Sequence, residues 1–475
     1  MLDRRQFYID GEWVNPALTK PFDVINPATE TPVAVISLGA KNDLNKAVSA
    51  AKRAFNSWGT SSISDRETLL RNILKSYERR KEEMAQMISL ELGCPISFSR
   101  EEQVPCGSSH LEATLEALLS HEFERPSLRG GSMLHDEPVG VCGLITPWNW
   151  PIHQLAAKVV PAIAAGCTMV LKPSELSPLS AALFAEILDE AGCPPGVFNL
   201  INGDGAEVGS ALTAHPDIDL ISFTGSTRAG VLVTQSAAES VKRVVTELGG
   251  KSPNICFADA DLESAVSFSV ASCFSNSGQS CDAPTRLLVE RSVYSTVIEL
   301  ATRQAQHTKV APPSEEGDHI GPVISQTQYD KIQQLIQTGI DEGARLIAGG
   351  TGKPEGIDTG YYVRPTIFAD VSNDMNIAQQ EIFGPVLVII PFDDEDEAIQ
   401  IANDTPYGLY AYIQTGNPDR AMRVARQIRA GNVSVNGQIA DFDVPFGGYK
   451  QSGNGREYGL FGLHDFLETK GITLN

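Results

Sequence analysis

The chain has little that would send it outside the cell or into a membrane. Its eight cysteines, at positions 94, 106, 142, 167, 193, 256, 273 and 281, show no CxxC spacing and no matching histidines. Neither a disulfide framework nor a metal site is supported, and most of these cysteines read as small buried packing residues. No uncharged apolar run approaches the roughly 18 residues of a membrane span, and Met1-Leu2-Asp3-Arg4-Arg5-Gln6 lacks the apolar core of a signal peptide. A cytoplasmic protein with no membrane partner is expected. Positive charge is short as well: 37 Lys and Arg face 59 Asp and Glu, a formal charge of −22. Such a surface repels phosphate backbones, which excludes nucleic acid as a partner. Two phosphate-binding fingerprints are also missing. Gly203-Asp204-Gly205 followed by Gly209 has the wrong spacing for GxGxxG, and no Ser or Thr follows the lysine of Gly352-Lys353-Pro354.

What the chain does have is length and alternation. At 475 residues it holds material for roughly three domains of about 150 residues each. From Val139 onward, short apolar runs read as strands (139–145, 168–171, 197–201, 220–223, 244–248), separated by helical stretches (152–165, 178–191, 206–214, 228–240). Near-continuous apolar strands alternating with helices predict a parallel sheet covered on both faces, the doubly wound nucleotide-binding pattern. A second series follows, with strands expected at 254–257, 286–290, 344–347 and 386–391. Two α/β units place a cleft between them, where ligands usually bind. Residues 43–92 are helical by periodicity, with Trp58, Leu69, Leu70, Ile73, Leu74 and Tyr77 facing inward.

The segments that carry chemistry sit at the ends of these strands. Glu247 closes one strand before Gly249-Gly250-Lys251-Ser252-Pro253, and Gly278-Gln279-Ser280-Cys281 comes later in the chain. A thiol and a carboxylate are the nucleophile and base that catalysis through a thioester needs. A thiol with an ordinary pKa of about 8.5 is mostly protonated at neutral pH, so Cys281 needs a helix N-terminus, a positive charge or a base beside it. Its Gly-Gln turn and the polar Ser280 and Asp282 set it apart from the other cysteines. Glu247 reads either as a cleft carboxylate whose pKa desolvation raises or as a solvated strand-end charge. Thr146-Pro147-Trp148-Asn149-Trp150-Pro151 is a stiff turn that fixes the Asn149 amide, as an oxyanion donor needs and as an Asx-turn also does. Thr224-Gly225-Ser226 opens a helix after a strand, where a pyrophosphate can meet backbone N–H groups, although the signal alone is weak. Lys172-Pro173-Ser174-Glu175 is either a ribose site, whose acid favours NAD over a 2′-phosphate, or a helix start with a favourable acidic residue.

Together these segments resemble the aldehyde dehydrogenase superfamily nearly end to end. The likeness runs from Tyr8-Ile9-Asp10-Gly11-Glu12-Trp13 and Asn26-Pro27-Ala28-Thr29 through Glu381-Ile382-Phe383-Gly384-Pro385 and Asn403-Asp404-Thr405-Pro406-Tyr407-Gly408-Leu409 to Pro445-Phe446-Gly447-Gly448-Tyr449-Lys450-Gln451-Ser452-Gly453.

The resemblance implies an α/β fold: a Rossmann-type nucleotide-binding domain (1–121 and 138–248), an α/β catalytic domain (249–446), and a small β oligomerisation arm and tail (122–137 and 447–475), assembled as a homodimer or homotetramer. It implies that Cys281 attacks the aldehyde, that the Asn149 side chain and the Cys281 N–H hold the oxyanion, and that Glu247 activates the water that hydrolyses the thioester. It places Thr146, Pro147, Trp148, Lys172, Ser174, Glu175, Gly225, Ser226, Leu248, Gly249, Glu381 and Phe383 at NAD, with NADP not excluded. Trp150, His153, Gln154, Ser280 and Asp282, together with residues 437–442, would line the aldehyde channel. Their polarity implies a polar or cationic aldehyde, the alternative being that they face packing or solvent. Retention of both Cys281 and Glu247 argues against a CoA-acylating or phosphorylating semialdehyde dehydrogenase and against a non-catalytic structural homologue, which remain the alternative readings.

Overall fold

In the computed structural model, which describes residues 1–473, the apolar runs become parallel strands. Val141–Ile145, Thr168–Lys172 and Leu220–Thr224 are buried at every position, as strands covered on both faces must be. They form the centre of an eight-stranded sheet. Its order is Gly453–Asn454, Arg243–Glu247, Leu220–Thr224, Val141–Ile145, Thr168–Lys172, Phe198–Leu200, Phe7–Ile9 and Glu12–Val14. The central five strands are parallel. The edges are antiparallel additions from the two ends of the chain.

Helix Pro151–Ala165 packs across this sheet with every residue but His153 buried. The strand expected from Val139 begins at Val141, because the Val139 N–H is spent on the Phe466 carbonyl (3.0 Å) and Gly140 turns the chain at φ 133°. The helix expected over 206–214 is two short pieces, a π-helical turn Gly205–Gly209 and Ser210–Thr213. The Asp204 side chain caps the first by accepting from the Glu207 N–H at 2.6 Å. The stretch over 43–92 is three helices, Lys41–Trp58, Ile63–Arg79 and Lys81–Leu92. Trp58, Leu69, Leu70, Ile73 and Tyr77 are in the core, with Leu74 half-buried against it.

The second sheet has seven strands, ordered Arg345–Ala348, Thr366–Ala369, Val386–Phe392, Arg286–Glu290, Pro253–Cys256, Tyr410–Gln414 and Asn432–Val435. All neighbours run parallel except the antiparallel edge strand Arg345–Ala348. Three of its strands, at 366–369, 410–414 and 432–435, were not anticipated. A third sheet pairs Ser132–Pro138 with Glu124–Pro126 on one side and with Leu467–Thr473 on the other. The chain passes from the first large sheet to the second through residues 248–252 and returns through residues 436–452, so the strand ending at Glu247 and the strand starting at Pro253 bring the two sheets together at the first of these links.

Candidate active site

Cys281 enters the cleft on a turn that few sequences can make. After helix Leu262–Phe274, Asn276, Ser277 and Gly278 take left-handed φ values of 50°, 57° and 74°. At Gly278 a Cβ would lie 2.1 Å from the Gly384 backbone, so only glycine fits. The turn is tied on both sides. Gln279 accepts from the Ile324 N–H (3.0 Å) and donates to the Asn276 carbonyl (3.0 Å), and the Ser277 hydroxyl donates to the Gly321 carbonyl (2.8 Å). Cys281 is left partly exposed at the end of this buried clamp.

Glu247 meets that turn through its own glycines. A Cβ on Gly250 would sit 2.5 Å from the Cys281 carbonyl oxygen, and the Gly250 N–H donates to Glu381 at 3.1 Å. The Asn149 side chain donates to the Gln279 carbonyl (2.9 Å), while its backbone carbonyl accepts from Asn276 (2.8 Å) and Gln103 (3.2 Å). Its amide is thus held beside the cysteine turn and retains one N–H for another acceptor.

Cys281 faces a cavity of about 210 Å³. Pro147, Trp148 and Asn149 wall it from the end of one central strand, Thr224, Gly225 and Ser226 from the next, and Leu248 and Gly249 from the third. Gln154, Gln328, Lys331, Glu381 and Phe383 complete it. Strand order reverses between Leu220–Thr224 and Val141–Ile145, with later strands adding on opposite sides, and the crevice at such a switch point is where doubly wound sheets hold nucleotides.

The lining suits a dinucleotide. The Ser226 hydroxyl caps helix Thr227–Ala238 by accepting from the Ala229 N–H (3.3 Å), which leaves a positive helix end at the cavity wall. The Thr224 hydroxyl is buried without a partner. Phe383, at φ 61°, meets the Trp148 ring edge-on at 5.4 Å and is held there by Gln328, which donates to the Phe383 carbonyl at 2.8 Å. Thr146, Lys172, Ser174 and Glu175 lie outside this cavity. The buried Lys172 ammonium donates to the Gly203 (2.6 Å) and Pro173 (2.9 Å) carbonyls and stands 3.4 Å from Glu175. The Thr146 N–H donates to the Lys172 carbonyl (3.2 Å), and the Ser174 hydroxyl accepts from the Leu176 N–H (3.3 Å).

Away from this cavity, Trp150, His153, Phe442 and Tyr458 meet through their rings at 5.2–6.0 Å, and the partly exposed Ser280 and Asp282 flank Cys281. The Trp150 indole donates to Ser280 at 2.8 Å, and the Tyr412 hydroxyl donates to the Asp282 carbonyl at 3.2 Å. Gln154, expected on this side, instead lines the 210 Å³ cavity, its amide oxygen buried and unpartnered.

Residues 13–472 match the model of the aldehyde dehydrogenase family. The chain belongs to that family. It is 52% identical to a 3-succinoylsemialdehyde-pyridine dehydrogenase from a Pseudomonas species over 99% of both chains. Among solved structures it superimposes at a TM-score of 0.99 on an aldehyde dehydrogenase from Bartonella henselae, 53% identical with both chains fully covered. A TM-score of 0.97 relates it to aldehyde dehydrogenase C of Pseudomonas syringae, solved as a cysteine-to-alanine variant with NAD+ and octanal. That protein is 50% identical, with 99% of this chain and 96% of that one covered. This chain is therefore an NAD(P)-dependent aldehyde dehydrogenase with the mixed α/β fold of its family. Among the described residues, no helix is long and apolar enough to cross a membrane.

Of the three surroundings expected for Cys281, a helix start, a positive charge or a base, the carboxylate of Glu247 supplies the last. Burial and the carboxylates of Asp282, Glu381 and Glu247 push its thiol well above the usual range, which favours the thiol over the thiolate. The residues responsible are distant in sequence, Asp282 excepted. Glu247 is itself buried, with neither carboxylate oxygen hydrogen-bonded among the described residues. Burial and Glu457 push its pKa well up, against the pull of Lys158 and Arg456. Alkylation of Cys281 by iodoacetamide, followed by mass spectrometry without cofactor, is expected to be slow at pH 7 and to quicken steadily beyond pH 9. A rate already saturated at pH 7 contradicts the protonated thiol.

Several neighbours of the site escaped the sequence reading. Lys158 donates to Glu457 (2.5 Å) and Ser222 (3.1 Å) behind Glu247. A single lysine inside the apolar run Ala156-Ala157-Lys158-Val159-Val160 was a signal for a buried, paired charge. Gln328 and Lys331 had no comparable mark.

Proposed function

We propose that this dehydrogenase oxidises a polar aldehyde to its carboxylic acid with NAD, using Cys281 as nucleophile, Asn149 as oxyanion donor and Glu247 as the base that frees the acid. The observation that carries this reading is the single cavity shared by Cys281, Asn149, Glu381 and Phe383 at the ends of the central strands, with Glu247 close enough for its charge to act on the thiol. The Cys281 thiol gives up its proton to solvent as its sulfur adds to the aldehyde carbon, giving a thiohemiacetal whose oxyanion accepts from the free Asn149 N–H and the Cys281 backbone N–H. Bound NAD supplies the hydride acceptor. Glu247, once ionised, takes a proton from the water that cleaves the Cys281 thioester.

Thr146, Pro147, Trp148, Leu248, Gly249, Gly225 and Ser226 would hold the dinucleotide's middle, Glu381 and Phe383 its nicotinamide ribose and ring, and Lys172, Ser174 and Glu175 its adenosine ribose. The carboxylate of Glu175 disfavours a 2′-phosphate, which supports NAD over NADP. On the same reading, residues 1–121 and 138–248 bind the nucleotide and 249–446 carry the thiol. Residues 122–137 and 447–475, of which Leu474 and Asn475 lie outside the described residues, form the arm and tail of a homodimer or homotetramer. The sheet joining Ser132–Pro138 to Leu467–Thr473 supports that role. Free thiols throughout the chain suit the reducing cytoplasm.

Trp150, His153, Ser280 and Asp282 make the aldehyde's surroundings polar, and Asp441 and Asp443 add exposed acids. Relatives bind both kinds of aldehyde: one is named for 3-succinoylsemialdehyde-pyridine and another was solved with octanal. A panel followed by NADH absorbance tests the reading. An amino- or hydroxy-aldehyde is expected to exceed hexanal of similar length by about tenfold in kcat/KM. A clear advantage for hexanal removes the polar preference, and absence of NADH with every aldehyde removes the reading as a whole.

A further inference from the structure

Of the residues on helix Pro151–Ala165, Gln154 alone lines the cavity that Cys281 faces. The helix starts directly after the Asn149 turn, and the Gln154 backbone N–H donates to the Trp150 carbonyl at 2.9 Å, which sets Gln154 about one helical turn beyond that turn. Asn149 and Gln154 therefore share one wall of the cavity, the wall that carries the oxyanion donor. Thr224, Gly225 and Ser226 belong to another, at the end of a neighbouring strand.

An amide is out of place in this position unless something binds it. Its helix neighbours Ile152, Leu155, Ala156 and Ala157 are apolar and buried. Gln154 is itself only 4% exposed, and its Oε1 is sealed from solvent with no hydrogen bond among the described residues. Its Nε2 makes none either but, unlike Oε1, keeps contact with solvent, so that end of the amide opens on the cavity the residue lines. A leucine or methionine would fill the same space without the cost of an unpaired buried amide.

A hydroxyl is the group that suits it. A hydroxyl accepts from an amide N–H and also carries a proton for an amide oxygen, so it serves the side chain whichever end is turned to the cavity. A carbonyl or an ammonium group serves one end only. The place of that hydroxyl on the substrate follows from size. A cavity of about 210 Å³ that also takes the nicotinamide leaves the aldehyde room for little beyond its carbonyl and the adjoining carbon.

We propose that Gln154 is a specificity-determining residue whose amide hydrogen-bonds a hydroxyl on carbon 2 of the aldehyde, which makes 2-hydroxyaldehydes the preferred class. This rests on the polar-aldehyde reading above and deepens it, by placing the selecting group beside Cys281 instead of among the side chains around Trp150.

The test uses two pairs in which a hydroxyl replaces a methyl, glycolaldehyde with propanal and lactaldehyde with 2-methylpropanal, their rates referred to the unhydrated aldehyde. With the unaltered enzyme, kcat/KM for the hydroxy member is expected to exceed its partner's by about tenfold in at least one pair, because a site built to hydrogen-bond an oxygen rejects the analogue that lacks it. The two enantiomers of lactaldehyde, equal in hydration and intrinsic reactivity, are expected to be oxidised at clearly different kcat/KM, since the amide stands on one wall only. In Gln154→Met and Gln154→Leu both ratios are expected to fall close to one, whatever happens to the absolute rates. NADH production with no hydroxy preference in either pair, or with equal rates for the enantiomers, overturns the inference and leaves the oxidation standing. Ratios that survive unchanged in both variants overturn it too, and a raised KM for NAD beside them assigns Gln154 to the cofactor. Hexanal ahead of every polar aldehyde removes the polar preference and the inference together.

Discussion

Cys281→Ala is expected to lose aldehyde oxidation by a factor on the order of 10⁶ in kcat, the scale at which removal of a nucleophile leaves only binding and oxyanion donors at work. The loss should be chemical rather than structural. The thiol enters none of the hydrogen bonds that hold its turn, which run instead through Gln279, Ser277 and Asn276. Shortening it by one sulfur atom leaves those bonds in place. The melting temperature should therefore stay near that of the unaltered protein, and NAD should still raise it, because Glu381, Phe383 and Ser226 are untouched. Turnover within tenfold of the parent shows that the nucleophile lies elsewhere.

How much of this was legible in the sequence depended on whether the signal was local. Strands buried on both faces write themselves as unbroken apolar runs, so Val141–Ile145, Thr168–Lys172 and Leu220–Thr224 could be placed to within a residue or two. Tyr410–Gln414 mixes two tyrosines with a glutamine, and Asn432–Val435 alternates polar and apolar residues. Such strands are defined by the neighbours that pair with them rather than by their own composition. The same division runs through the site. The Gly-Gln turn before Cys281 and the glycines after Glu247 are short motifs, and the structure packs one against the other. The electrostatic character of that meeting was hidden, because the carboxylate of Glu381 and the Glu457–Lys158 pair come from positions far along the chain. Burial, with the carboxylates of Asp282, Glu381 and Glu247, raises the Cys281 thiol, while Glu457 and Lys158 act instead on Glu247.

Glu247→Gln is expected to separate the two halves of the reaction. Addition of the thiol and departure of the hydride need no base at position 247, so mixing enzyme with aldehyde and NAD should release NADH in a burst of about one equivalent per Cys281. Hydrolysis of the thioester does need one, and steady turnover after the burst should fall by about 10²–10⁴-fold. The pH profile carries the same assignment with a definite sign. Burial and Glu457 raise the Glu247 pKa well above the ordinary carboxylate range. The base works only when ionised, so steady turnover of the parent should climb with rising pH through that displaced pKa rather than level off near pH 5. In the glutamine variant the residual turnover loses that limb. The substitution keeps the shape of the side chain but places an amide N–H₂ where neither carboxylate oxygen had a partner, a cost to stability of about 1–3 kcal/mol that a melting curve will show. An intact burst in a folded but cooler-melting variant thus separates lost catalysis from lost structure. Steady turnover equal to the parent's, with the same pH limb, would assign the base to another residue.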